Sequence, residues 1–264
     1  MEEFRIIHPA SILAPYVKHY WLLKTTGDAA SVVRTIPTGM MSLIFHRGSR
    51  LLSVRENELH PRVFLSGHEK TFDDLKYRGQ VDMIVVVFRP AGIRAFFSLP
   101  ADIVSGLRLT AGDLEDKELA TLENSVISTA DDRQCLRLIE QFLLKRCTRL
   151  TEYKLKRIDA AIRLIDSGQT NIASLADAAC LSTKQFTRQF CEYVGVNPKE
   201  FSLTIRFQRA LHILETTPAT SLTDLACQGG YYDQSHLIKE FKTISGYTPG
   251  EYIAECPPHS DYFN

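Results

Sequence analysis

The chain has 264 residues, is 44% hydrophobic and 23% charged, and balances 31 Lys+Arg against 31 Asp+Glu, the composition of a globular protein long enough for two domains of ordinary size. No apolar run approaches the roughly 18 residues needed to span a bilayer, and Met1-Glu-Glu-Phe-Arg lacks the plan of a signal peptide, so a cytoplasmic location with no membrane partner is expected. Net charge lends no support to nucleic-acid binding: residues 151–264 hold 11 basic against 13 acidic groups, so any DNA-binding surface there needs its few cations clustered on one face.

Taken in order, residues 1–110 read mostly as strands. Tyr16–Lys24 is aromatic and β-branched, Ser31–Ile36 and Met41–His46 are short candidates, and Arg62–Ser66 follows a proline. Asp82–Arg89 is the strongest, a near-continuous apolar run of strand length ended by Pro90. Short strands at close spacing, with turn signals and no helix between them, predict a small antiparallel β-barrel or sandwich. Gly92–Leu99 reads as a short helix stopped by Pro100, and beyond Gly112 the pattern turns helical, over Asp113–Ser128 and then Asp131–Cys147. The second of these carries a wide apolar stripe around Leu136, Ile139 and Leu143. Two readings stay open: the stripe packs only on the sheets, or part of it pairs with a second subunit.

A catalytic reading of this half would recruit His46, His60, His68 and Glu69 for a metal. No His-x-His pair of the kind cupin-type metal sites use is present, nor a phosphate loop or a Gly-x-Ser-x-Gly elbow, so neither catalytic nor metal-ligating residues are expected, and no cofactor. The alternative is a hollow barrel that binds a small organic ligand, whose lining residues the sequence does not identify. The six cysteines show no CxxC motif or disulfide framework and read as reduced, structural thiols.

Thr148–Glu152 is polar and reads as a linker, dividing residues 1–150 from 151–256, with 257–264 as a tail. After a helix at Leu155–Ser167, a repeat appears. Asn171-Ile-Ala-Ser-Leu-Ala176 aligns with Ser221-Leu-Thr-Asp-Leu-Ala226, each opening with a helix-capping residue. Phe186 and Phe190 then align with Leu237 and Phe241, Gly195 with Gly246, Pro198 with Pro249 and Phe201 with Tyr252. Two short helices joined by a turn, followed by a Gly…Pro restart, form a helix-turn-helix unit, here present twice. Outward positions of the second helix are Thr183, Lys184, Thr187, Arg188 and Gln189 in the first copy, and Gln234, Ser235, Ile238, Lys239 and Lys242 in the second. Long donors interspersed with small polar or apolar groups suit major-groove base edges, whereas the bland alternative for each helix is a solvated face. The connecting segment Pro198–Thr216 spans roughly 28 Å as a helix, near the ~34 Å that separates successive major grooves on one DNA face. On it Arg206 and Arg209 are candidates for phosphate contact, or else solvated charges.

The C-terminal motif Ala226-x3-Gly230-Tyr231-Tyr232-Asp233-Gln234-Ser235-His236-Leu237-x3-Phe241-Lys242-x3-Gly246-x-Thr248-Pro249-x2-Tyr252 resembles the DNA-binding domain of the AraC/XylS family of bacterial transcription regulators. The resemblance implies an all-α, seven-helix domain with two major-groove recognition helices, double-stranded promoter DNA as partner, and activation through contact with RNA polymerase. By position, it implies base readers at Lys184, Thr187 and Arg188, then at Gln234, Ser235 and Lys239; Ile238 departs from the polar residue often found there. Phe88-Arg-Pro-Ala-Gly-Ile-Arg-Ala-Phe96, then Leu99-Pro100, resembles the N-terminal domain of one family branch, in a barrel related to cupins. In the wider family such domains bind a small-molecule effector or form a homodimer. The expectation is therefore an α+β protein of two domains, a ligand-sensing or dimerising barrel with flanking helices and a tandem helix-turn-helix domain. The rival is a metal-dependent cupin-type enzyme fused to a DNA-targeting module.

Overall fold

The computed structural model describes residues 2–26, 30–147, 152–218, 220–255 and 262–263. Its first part supplies strands β1 (Glu2–Ile7), β2 (Val17–Thr25), β3 (Ser31–Thr35), β4 (Ser42–His46), β5 (Leu52–Ser53), β6 (Glu58–Leu59), β7 (Val63–Ser66), β8 (Asp73–Tyr77), β9 (Asp82–Phe88) and β10 (Arg108–Leu109). They form two antiparallel sheets, ordered β1-β2-β9-β4-β7-β10 and β3-β8-β5-β6. The expected barrel is therefore not closed: among the described residues no strand pairing joins the edges of one sheet to those of the other.

The apolar run of β9 has a simple cause. Successive side chains of a strand point to opposite faces, and here both faces are covered. Ile84, Val86 and Phe88 join a core with the helices that follow, whereas Met83, Val85 and Val87 join Met40, Leu51 and Leu75 on the side of the second sheet. The covering helices are α1 (Lys117–Ser128), capped by Asp116, and α2 (Asp132–Arg146), capped by Asp131. Of the α2 stripe, Cys135, Ile139, Phe142 and Leu143 are buried in this core, while Leu144 stays exposed. The helix expected over Gly92–Leu99 shrinks to one turn, Gly92–Ala95; Pro100 disfavours a helical Leu99, and the Arg94 guanidinium donates to the Ser98 carbonyl at 2.6 Å.

The second part is helical: α3 (Glu152–Asp166), α4 (Ile172–Ala178), α5 (Thr183–Val194), α6 (Pro198–Thr216), α7 (Leu222–Gly229), α8 (Gln234–Ser245) and α9 (Pro249–Glu255). The linker expected at Thr148–Glu152 falls, but for Glu152, outside the described residues. Starts are written in the sequence. Asn171, Ser182, Asn197, Ser221 and Asp233 each accept a backbone N–H of the first turn, and Ser182 with Gln185 completes a capping box. Helix α5 ends on Gly195 at φ +97°, a left-handed conformation suited to glycine, and a Cβ there would lie 2.1 Å from the Met41 side chain.

Two helical cores result. One gathers Ile158, Leu175, Phe186, Phe190 and Phe201, the other Phe207, Leu211, Leu225, Leu237 and Phe241, and α6 contributes to both. The fully buried Gln208 of α6 donates through Nε2 to the Pro37 carbonyl at 2.8 Å and so ties the helical part to the sheets. No described helix is long and apolar enough to cross a membrane.

In three of the buried histidines, His46, His60 and His68, burial lowers the pKa values from 6.5 to about 3, 4 and 4. Each stays neutral in the native chain at pH values where the unfolded chain binds a proton. Their contribution is complete above pH 6.5 and is lost as pH falls toward 4, at up to about 1.4 kcal/mol per pH unit for each group. Urea unfolding at pH 7, 6 and 5 should show a falling stability, and His46→Phe should flatten that slope.

Candidate nucleic-acid interface

The first unit is α4, a turn and α5. The turn passes through Cys180 at φ +51° and is pinned by the Arg157 guanidinium of α3, which donates to the Cys180 carbonyl at 2.7 Å. Phe186, Phe190, Tyr193 and Val194 bury one face of α5. On the other, Thr183, Lys184 and Arg188 are exposed, while Thr187 and Gln189 are half-buried. The Thr187 hydroxyl donates to the Thr183 carbonyl at 3.0 Å, which leaves its methyl group and an oxygen lone pair as outward features.

The second unit repeats the plan with α7 and α8. Leu237, Phe241 and Ile244 face the core, and Gln234, Ser235, Lys239 and Lys242 are exposed, with Ile238 half-buried among them. Gln234 donates to the Thr223 hydroxyl of α7, which orients its amide at the start of the helix. Tyr232, one residue before the Asp233 cap, is 91% exposed, a group that sequence reasoning passed over because its neighbour Tyr231 is a core residue.

Arg206 and Arg209 do not serve as free charges. Arg206 forms a two-point ion pair with the largely buried Glu240 of α8, its Nε at 2.9 Å from Oε1, and its guanidinium lies 5.0 Å from the Tyr231 ring centre. Arg209 donates to the Ile165 and Asp166 carbonyls at 3.0 and 2.8 Å, closing the end of α3. Neither role has a local signal, since the partners lie 34 and 43–44 residues away. Lys184, Arg188, Lys239 and Lys242 show the opposite behaviour. None of their side chains makes an ion pair or hydrogen bond to a described residue, although the Glu251 carboxyl, whose pKa hydrogen bonds from Thr248 lower, is lowered further by Lys242 nearby. The charge of this half is thus sorted by position: Arg157, Arg206 and Arg209 are engaged internally, and the cationic side chains of α5 and α8 are not.

The sheet part holds a cavity of about 160 Å³ between its two sheets, edged by Met40, Ile44 and Phe64 and by the polar His60, Asp73 and Arg108. The residues considered for a metal do not converge. His46 and His60 flank Phe64, with ring centres 6.1 Å apart, and His68 turns toward α5. No group of three or more His, Cys, Asp or Glu able to hold a metal occurs among the described residues. Of the cysteines, Cys135 is buried, whereas Cys180 and Cys227 are exposed, each on the rim of a helix-turn-helix unit rather than in its core.

Two family models match separate stretches of the chain. Residues 5–108 match a domain of unknown function (DUF6597), and residues 175–255 match a helix-turn-helix domain. Over 85 residues the chain is 34% identical to the HTH-type transcriptional regulator MtrA of Neisseria gonorrhoeae, covering 32% of this chain and 28% of that protein. Over 130 residues it is 28% identical to the arabinose operon regulatory protein of Salmonella typhimurium, covering 46% of each. The chain spans less than half the length of these two relatives. Among solved structures, ToxT from Vibrio cholerae aligns with 96% of this chain and 97% of its own at 11% identity, with a TM-score of 0.43.

The internal use of Arg206 has a measurable consequence. Arg206→Met leaves the Glu240 carboxylate, whose side chain is 10% exposed, without its main partner, and should lower the unfolding free energy by about 3 kcal/mol. Lys242→Met on the exposed face of α8 should change it by less than about 0.5 kcal/mol. Parallel denaturant titrations of the two variants check the contrast.

Proposed function

We propose that this chain, whose tandem helix-turn-helix half is similar to those of the regulators it matches, is a sequence-specific DNA-binding regulator of transcription of the AraC/XylS type. The observation that carries the reading is the sorting of charge. Lys184 and Arg188 on α5, and Lys239 and Lys242 on α8, stand exposed and unpaired among the described residues, on two helices joined by one 19-residue helix. At 1.5 Å per residue α6 spans roughly 28 Å, so the two faces can address successive major grooves from a single chain.

In this reading the guanidinium of Arg188 pairs with a guanine edge, and Lys184 and Thr187 read its neighbours. In the second groove Gln234, Ser235 and Lys239 supply donors and acceptors, Ile238 packs on a thymine methyl group, and Lys242 neutralises a phosphate. The reading treats residues 1–150 as the sensing part, 151–256 as the DNA-binding domain and 257–264 as a tail. The cavity between the sheets, equal in volume to about five water molecules, is the site for a small effector. Activation through RNA polymerase, and a homodimer formed by the sheet part, complete the scheme.

Duplexes selected from a random pool test the core of it. The full chain should bind its selected site with an affinity that falls steeply as salt rises, and Arg188→Ala should cost about 1–3 kcal/mol and relax the preference at one base pair. Equal affinity for selected and unrelated duplexes at physiological salt would overturn the reading. A uniform loss for Arg188→Ala across all sequences would move that residue from base to phosphate.

A further inference from the structure

The loop Gly67–Phe72, between β7 and β8, reaches from the sheets to the ends of both recognition helices. An α-helix leaves its last four carbonyls without partners inside the helix. For α8 all four are accounted for. Gly246 N–H takes the Lys242 carbonyl at 2.9 Å, Thr71 Oγ1 donates to Thr243 at 2.9 Å, Phe72 N–H to Ile244 at 2.8 Å, and Arg34 Nη1 of β3 to Ser245 at 3.4 Å. Three of these four bonds come from the sheet part. At α5 the same loop supplies His68, whose Nε2 hydrogen-bonds the carbonyl of the last helical residue, Val194, at 2.7 Å. Lys70 adds an ion pair with Glu200 at the start of α6, at 2.9 Å.

The loop is rigid for reasons of its own. A Cβ at Gly67 would lie 1.8 Å from the Val104 carbonyl oxygen, so the backbone there is pressed against the segment behind it. Gly106 N–H donates to the His68 carbonyl at 3.0 Å, and Arg55 both pairs with Glu69 at 2.7 Å and donates to the Thr71 and Phe72 carbonyls at 3.4 and 3.3 Å. Arg34 is fixed as well: Asp74 holds it at 2.7 and 2.8 Å, and its guanidinium lies between the Phe72 and Tyr247 rings, 4.3 and 4.2 Å from their centres.

The two helix-turn-helix units have separate cores with α6 in both, so a second tie between them constrains twisting about that one helix. We infer that the loop Gly67–Phe72, with Arg34, is a double clamp that sets the relative position of the two recognition helices, and that Arg34, His68, Thr71 and Phe72 are positioning residues for two-groove DNA reading. The inference rests on the regulator reading for its role in DNA binding, but the clamp itself is a property of the free protein. The loop also walls the cavity between the sheets through Glu69 and Thr71, so an occupant of that cavity meets the clamp directly.

The test combines two measurements on the full chain, with Arg34→Met/Thr71→Val as the loosened variant; neither substitution touches an outward residue of α5 or α8. Nitroxide labels on the exposed Cys180 and Cys227, with Cys147, Cys191 and Cys256 replaced by serine, report the separation of the two units by pulsed electron resonance without DNA. A single narrow distance in the parent should become a broad distribution in the variant; an unchanged distribution overturns the clamp. On selected DNA, the affinity for the two-groove site should fall about tenfold while affinity for a duplex carrying either half alone is kept, because the loss is one of effective concentration. A parallel loss on half-sites, or an unchanged ratio of full-site to half-site affinity, overturns the positioning role. If the parent shows no sequence preference at all, the regulator reading fails, and the resonance measurement still decides the clamp.

Discussion

Helix α6 is the constraint on which the helical half depends. Its apolar side chains complete two cores, Phe201 and Ile205 in one and Phe207, Ala210, Leu211 and Leu214 in the other. Its polar side chains are also committed: Ser202 bonds the Pro198 carbonyl, Gln208 the Pro37 carbonyl, Arg206 the Glu240 carboxylate and Arg209 the end of α3. A buried polar group left without a partner costs about 1–3 kcal/mol, so the bonds of Gln208, Arg206 and Arg209, which leave the helix, restrict how α6 can roll against its neighbours. The helix is thereby locked from several sides, and the two units hang from a rod rather than from a flexible tether.

The difficulty raised by net charge is met by position. A half with more acidic than basic groups is an unpromising DNA-binding module if charges are only summed. Binding to a phosphate backbone depends on local potential, which exposed cations grouped on one face raise whatever the total. Arg206 is neutralised by Glu240, whereas Lys184 and Arg188 on α5 and Lys239 and Lys242 on α8 stand exposed.

What the sequence made legible follows the range of the physics. Caps, glycine stops and the proline restarts act within a turn of the chain, so α6 could be bounded closely, and the apolar run of β9 needed only strand periodicity. Strand β8 was not legible, because Asp73-Asp74-Leu-Lys-Tyr77 looks like loop. Asp73 is nonetheless buried, accepting from Ser53 Oγ and from the Arg55 N–H at 3.2 Å, partners found only after the sheets assemble. Strand β1 escaped for the reason that it lies at a sheet edge, with Phe4 and Ile6 about half exposed. Sheet closure and the partners of Arg206 are likewise long-range facts. On the exposed faces of α5 and α8 the sequence offered residue types at helical spacing, and the missing information was which cations the rest of the protein consumes.

The two units, though aligned in sequence, differ in their physical situation. Helix α5 meets the first part through His68 at its last carbonyl and through Arg94, which pairs with Glu192 at 3.6 Å and lies over the Tyr193 ring, while its neighbouring turn is fixed from within the helical half by Arg157. Helix α8 has three of its last four carbonyls satisfied from the sheets, and Arg206 anchors it through Glu240. Its reading face also carries the half-buried Ile238 where a polar group would add a directed bond. An apolar side chain discriminates among bases through shape and the thymine methyl group, which is a weaker constraint than a bidentate pair. Sequence discrimination should therefore concentrate at the groove met by α5, while α8, held at its end from the sheet part, contributes to the register from which that reading is made.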